Sequence, residues 1–273
     1  MVESRLQTQR LELKYIIPED LADRIRDFLL PFLEIDAFGA RQADRSYPVH
    51  SLYLDSPDLH TYHSTINGDR NRYKLRIRFY EGRPGAPVFF EIKRRQDNAI
   101  YKQRCAVLRE AVDEVIAGAL PDRRCLVKDG PDEEGALYTF CRLVNQLQAR
   151  PVAHVAYRRE AWYSHGNNRT RVTMDRNVRS CREPSVRLDA RLTDPVAVFG
   201  DGVVLELKFT GRFPDWMREL VQVFGLEPCS AAKYVDGIVR IKESAETPVM
   251  PTVDGARRRR PRNRRPSAQT LWR

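Results

Sequence analysis

Four cations recur at every second position in NRYKLRIRFY (71–80): Arg72, Lys74, Arg76 and Arg78. A period of two puts them on one face of a strand, with Tyr73, Leu75, Ile77 and Phe79 on the other. Four like charges on one face repel each other unless anions or water come between them. The pattern returns along the chain. Lys102 and Arg104 share a face over 100–108, Tyr157 and Arg159 over 152–163, and Arg169, Arg171, Thr173 and Asp175 over 169–176. Three segments carry Glu-x-Lys with both charges on one face: Glu12 with Lys14, Glu91 with Lys93, and Glu206 with Lys208. Arginine's planar fork meets phosphate oxygens through paired hydrogen bonds, so such faces suit a phosphate ligand. Carboxylates among the cations suit a divalent metal held jointly by protein and phosphate oxygens. A site of that kind performs phosphoryl transfer by positioning and charge neutralisation, with no protein nucleophile.

For one strand alone, a solvated charged face is the ordinary reading. The distribution of charge argues for more. The formal net charge is +10, but residues 248–273 hold eight arginines and one aspartate, which leaves +3 for the rest. The body is nearly balanced, yet its cations gather on the faces of at least six strands. If the sheet closes on itself, those faces line an interior and the apolar faces point outward, where helices can cover them. Unpartnered charges inside a protein are costly, so that interior calls for a linear polyanion such as a triphosphate or a longer phosphate chain.

The elements that must hold these residues are readable. Strands are expected at 9–17, 47–55, 71–80, 87–95, 100–108, 152–163, 169–176 and 203–211. Helices are expected from Pro18, at 110–118, 134–148, 214–224 and 231–242, with a short helix or loop over 58–66. NGD (67–69), GRPG (82–85) and HGNN (165–168) read as turns. The order favours antiparallel pairing. The expected fold is α+β, an antiparallel β-barrel tunnel of about eight strands with helices packed outside.

Several function classes are excluded. No Walker A, G-x-S-x-G or HExxH motif is present. Cys105, Cys125, Cys141, Cys181 and Cys229 are widely spaced with no CxxC pair, and read as reduced, mostly buried thiols. No run approaches the roughly 20 apolar residues of a membrane span, and MVESRLQTQR lacks a signal-peptide core, so a cytoplasmic protein is the default. His154, in an apolar strand, reads as structural. Asp55 reads as a turn cap or as a supporting group at the tunnel mouth. Residues 1–246 form the expected domain. The segment 247–273 is expected to be a disordered Arg-rich tail, either simply solvated or binding phosphate polymer, nucleic acid or anionic lipid.

In order along residues 8–240, RLELKY, YPVHSLYLD, KLRIRFY, FFEIK, YKQR, YRREAW, RVTMD, VVLELKF and KYVDGI resemble the VTC (vacuolar transporter chaperone) domain of the CYTH-like triphosphate tunnel superfamily. The resemblance implies a barrel tunnel and a polymerase that builds polyphosphate from ATP with a divalent metal, manganese or magnesium. It matches Lys14, Arg76, Arg78, Lys93, Lys102, Arg159 and Arg171 to phosphate-holding positions. Tyr157 matches a position near the nucleotide, Glu206 the metal-binding glutamate and Lys233 a lysine in the closing helix. Lys208, beside Glu206, joins the phosphate-facing set. Glu12 either ligates metal or holds neighbouring cations in place. Ala232 stands where active relatives have serine, and Ser230 where they have lysine, which bears on chain length or rate. Arg10 replaces a glutamate of the wider CYTH pattern, which favours transfer over hydrolysis. The alternatives are a tunnel triphosphatase hydrolysing ATP or inorganic triphosphate, and a non-catalytic polyphosphate or nucleotide binder.

Overall fold

The fold is that of a computed structural model, which describes residues 10–80, 85–97, 99–166 and 169–246. Its strands are β1 (Arg10–Ile17), β2 (Leu33–Ile35), β3 (Tyr47–Asp55), β4 (Asn71–Phe79), β5 (Val88–Gln96), β6 (Ala99–Val107), β7 (Arg150–Ser164), β8 (Thr170–Arg182), β9 (Val196–Ala197) and β10 (Val203–Thr210). Its helices are α1 (Glu19–Leu29), α2 (His60–Ile66), α3 (Val112–Ile116), α4 (Pro131–Leu147), α5 (Asp215–Val223) and α6 (Lys233–Glu246). α4 starts on a proline followed by Asp132, Glu133 and Glu134. The proline gives up no hydrogen bond in the first turn, and the acids favour the positive end of the helix dipole.

All pairings are antiparallel, in the order β2-β7-β3-β4-β5-β6-β1-β10-β8-β9, and β7 also pairs with β8. Eight strands therefore follow one another round a ring, with short β2 and β9 added at β7 and β8. The seam between β1 and β6 rests on one pair, Arg10 with Ile100. The sheet wraps into a tunnel without a full ladder along that edge.

The eight ring strands are those expected from alternation. β2 and β9 were not, because three and two residues are too short to display a period. β8 runs to Arg182 instead of 176. The β7–β8 register slips between Ala156 and Arg158, and Asn177 has φ 50°, so the side-chain alternation is interrupted midway. α3 is shorter than 110–118: a 3-10 turn precedes it, and Gly118 at φ 103° follows it. The 247–273 tail, half of the HGNN turn, most of the GRPG turn and the Arg10 side chain lie outside the described residues.

Outward faces carry the apolar residues. Leu75, Ile77, Phe90 and Ile92 pack with Leu137, Phe140 and Val144 of α4. Tyr15, Leu205 and Leu207 pack with Ile25 and Leu29 of α1 and with Met217 and Leu220 of α5. Each such side chain contributes roughly 1.5–3 kcal/mol when fully buried. α1 is also clamped by charge: Arg26 makes two hydrogen bonds to the fully buried Glu160, at 2.8 and 3.0 Å, and Arg176 and Trp162 donate to the same carboxylate.

One helix departs from the expected outside position. α6 packs on the inward residues Tyr53 of β3 and Val155 of β7, with the Tyr53 and Tyr234 rings stacked at 4.7 Å. A Cβ on Gly237 would sit 2.7 Å from Ser180 Oγ, so glycine is what lets this helix lie so close to the wall. Asp55 caps α2, accepting from the Thr61 and Tyr62 amides and the Thr61 hydroxyl. It also accepts from Tyr234 at 2.7 Å, which ties α6 down. His154 packs fully buried against His50 and Phe79. Cys105, Cys141 and Cys181 are buried free thiols, and Cys229 is exposed.

Candidate functional site

The inward faces of the ring bring their charges together around four carboxylates. On β4–β5–β6, Glu91 lies directly opposite Arg76 on one side and Arg104 on the other. Arg76 Nε donates to Glu91 Oε2 at 2.7 Å, and Lys102 Nζ is 2.6 Å from Oε1. Arg78 and Arg104 stand 3.8 and 3.6 Å from the same group. Burial alone would raise the Glu91 pKa, but Arg76, Arg78 and Lys102 hold it well below the usual carboxylate range.

A second cluster forms where β7, β8, β10 and α6 meet. Arg159 forks onto Asp175 with two hydrogen bonds of 2.7 Å. Lys233 Nζ reaches Asp175 Oδ2 at 2.7 Å and Glu206 Oε1 at 2.8 Å. Lys208 and the Thr173 hydroxyl donate to Glu206 Oε2. Burial would raise Glu206, yet Lys208, Lys233, Lys14 and Arg159 hold it far down as the anion. Burial lowers Lys208 to about 8, against the pull of Glu206 and Glu12.

Glu12 forms the third cluster. Lys93 donates to its Oε2 at 3.0 Å, and Lys14 Nζ is 3.5 Å from its Oε1. Lys14 also donates to the Ala231 carbonyl at 2.9 Å, joining β1 to the segment before α6. Tyr157 spans the first two clusters: its hydroxyl accepts from Arg78 at 3.0 Å, and Lys233 and Arg159 lie 5.2 Å from its ring centre. Arg171 meets a different carboxylate, Asp36, at 3.9 Å, which Tyr47 also engages at 2.7 Å.

Every candidate site residue thus faces the ring interior. They divide among separate carboxylates. Glu91 and Asp175 were visible on the charged faces without counting as site residues, although they organise it. Lys74 was equally visible. It has no ion pair among the described residues, and burial, helped by Lys14, Lys93 and Arg72, lowers it to about 7. Asp36 had no periodic signal, because it follows a three-residue strand. A cavity of about 500 Å³ opens at the end lined by Lys14, Lys74, Lys93 and Ser230.

Among the described residues, no three His, Cys, Asp or Glu side chains lie close enough to hold a metal ion by themselves. Glu206 and Glu12 could supply two oxygens, with the rest coming from phosphate. Glu12 Oε1 is buried and accepts no hydrogen bond, which leaves it available as a ligand. One or two carboxylates completed by substrate phosphate is a donor set suited to magnesium-like cations.

The VTC domain model matches residues 9–242. The chain belongs to the VTC domain family. The vacuolar transporter chaperone complex subunit 4 of Schizosaccharomyces pombe is 22% identical over 261 positions, which cover 82% of this chain and 36% of that protein. The chain thus spans about a third of that relative's length. Similar solved structures include a candidate adenylate cyclase of Bacillus halodurans, with 11% identity and a TM-score of 0.46, covering 82% of this chain and 94% of that one. The Mimivirus capping enzyme triphosphatase has 11% identity and a TM-score of 0.35, with 80% and 89% covered. In this VTC domain, Ser230 and Ala232 both line the cavity. The Ala232 amide donates to Asp236 Oδ2 at 2.7 Å. No described helix is long and apolar enough to cross a membrane.

Proposed function

We propose that this VTC domain is a metal-dependent polyphosphate polymerase. It transfers the terminal phosphate of ATP to the end of a growing polyphosphate chain inside the tunnel. One observation carries the reading: cations from β1, β4, β5, β6, β7, β10 and α6 converge on the ring interior, around carboxylates that partner them. Arg76, Arg78, Lys93 and Lys102 hold the transferred and acceptor phosphates. Arg159, Lys208 and Lys233 neutralise the remaining charge, and Tyr157 lies toward the nucleoside. Manganese or magnesium on Glu206, with Glu12, would supply Lewis-acid neutralisation of the phosphate oxygens when bound. The bond from the terminal phosphorus to the β-phosphate oxygen breaks as one forms to the acceptor chain's terminal oxygen, and ADP leaves. Alignment of the two phosphates provides the rate, since dissociative phosphoryl transfer needs positioning and electrostatics rather than a nucleophile.

Incubating the purified chain with ATP and manganese tests this. Long chains resolved on a gel are the expected product. Free phosphate alone would mean a tunnel triphosphatase, and tight binding without turnover a polyphosphate or nucleotide binder. Arg76→Ala and Glu206→Ala should each abolish polymer while the fold survives, because Lys102 still faces Glu91 and Asp175 still faces Lys233.

A further inference from the structure

The phosphate-facing wall does not stop at the tunnel mouth. β4 and β5 are in register as a ladder of facing pairs: Arg76 with Glu91, Lys74 with Lys93, and Arg72 with Arg95. The inner rung is neutralised. The two outer rungs set cation directly against cation, an arrangement that destabilises a sheet unless an anion lies between. Burial and the facing Arg95 both disfavour the charge on Arg72. Beyond this rung, Arg70 joins Arg72 and Arg95 around a second cavity of about 630 Å³, which also touches Gly68 and Asp97. Arg72 and Arg95 line this cavity and the tunnel-mouth cavity alike, so the cationic surface is continuous from Lys14, Lys74 and Lys93 outward.

The arginines are aimed by backbone contacts. Arg72 donates to the Asp69 carbonyl and Arg95 to the Asp97 carbonyl, the latter at 2.7 Å. Neither Arg72 nor Arg95 has a side-chain ion pair among the described residues, and both line the cavity. The other end of the β4–β5 wall is different. There the inward positions become aromatic, with Phe89 against Tyr80 and Tyr80 against Tyr47. On the β4–β5 wall, among the described residues, the facing cation pairs lie at the Lys74–Lys93 end.

We propose that Arg70, Arg72 and Arg95 form an outer subsite, continuous with the tunnel mouth and beyond it, that holds the phosphate chain where it protrudes past Lys14, Lys74 and Lys93. The inference rests on the polymerase reading for its ligand, inorganic polyphosphate longer than the tunnel. The subsite takes successive phosphates bidentately and retains product between transfers, which sets chain length.

The test compares the full chain with its Arg70→Ala/Arg72→Ala/Arg95→Ala variant, measuring the affinities of sodium tripolyphosphate and of long-chain polyphosphate by calorimetry without ATP. Arg70 and Arg95 are exposed and Arg72 is half-buried, and thermal unfolding checks that the variant folds. Loss of three charge-assisted contacts should weaken long-chain binding by at least about tenfold, and leave tripolyphosphate within about twofold. Unchanged long-chain affinity overturns the proposal, leaving the Arg-rich tail or the tunnel as the binder. An equal fall for both ligands overturns it too, making the arginines part of the triphosphate site. Failure of the unsubstituted chain to bind tripolyphosphate would defeat the tunnel reading instead, while the long-chain comparison still decides the outer subsite.

Discussion

Lys233 Nζ lies 2.8 Å from Glu206 Oε1, joining the first residue of α6 to the middle of β10. Both groups are buried, and Lys233 also meets Asp175. Asp175 and Glu206 together raise the Lys233 pKa despite burial. Replacing Lys233 with methionine keeps the side-chain volume and leaves two buried carboxylates short of a cation. The expected loss is about 3–5 kcal/mol in urea unfolding. A loss below about 1 kcal/mol would show that the ammonium is not what seats α6.

Glu91 faces the opposite test. It is the counter-ion for Arg76, Arg78, Lys102 and Arg104, and no basic side chain there has a closer carboxylate. Glu91→Gln should lower the melting temperature in anion-free buffer and tighten metal-free binding of tripolyphosphate. Added tripolyphosphate should restore more melting temperature to the variant than to the parent, because a ligand that binds only the folded state stabilises it in proportion to its affinity. Weaker tripolyphosphate binding by Glu91→Gln would count against Glu91 as a competitor for the phosphate-holding cations.

Lys74 links the tunnel mouth to pH. Its pKa falls from 10.5 to about 7 in the folded protein, through burial first and then Lys14, Lys93 and Arg72. Between those values the unfolded chain binds the proton and the folded chain does not, so this group's contribution makes stability rise with pH across that window. A bound polyanion reverses the penalty and restores the proton. Calorimetry at pH 8 in two buffers of different ionisation enthalpy should therefore report proton uptake with tripolyphosphate, and affinity should weaken as pH rises above about 7. Lys74→Met should reduce both effects. Identical proton uptake in that variant would move the assignment to another group.

Glu160 separates scaffold from site. It lies on the outer side of the wall, fully buried, and accepts from Arg26, Arg176 and Trp162. Glu160→Ala leaves two guanidinium groups without their shared carboxylate and should destabilise by about 3 kcal/mol or more. At a temperature where the variant remains folded, its tripolyphosphate affinity should match the parent's. A changed affinity would mean that α1 helps shape the tunnel.

Alternation alone determined the eight ring strands and which residues share a face, because a strand's side-chain period is two whatever its partners. It also placed Arg76, Arg78, Lys93, Lys102, Arg159 and Glu206 on charged faces, and the ordered motifs carried the family. Only the tertiary structure decided which charges meet. Glu12 hydrogen-bonds to Lys93 of β5, across the seam from its own strand neighbour Lys14, and Lys93 has no ion pair with Glu91 two residues away. Strand register and the wrapping of the sheet set those partners, and neither is written in a local pattern. The same holds for α6, whose inward seat depends on Gly237 meeting β7 and β8, and for Asp36, which reaches Tyr47 and Arg171 from a loop. Local sequence fixes a side chain's face. Long-range pairing fixes its neighbour, and in a tunnel of charges the neighbour decides whether a cation is already neutralised or left for a ligand.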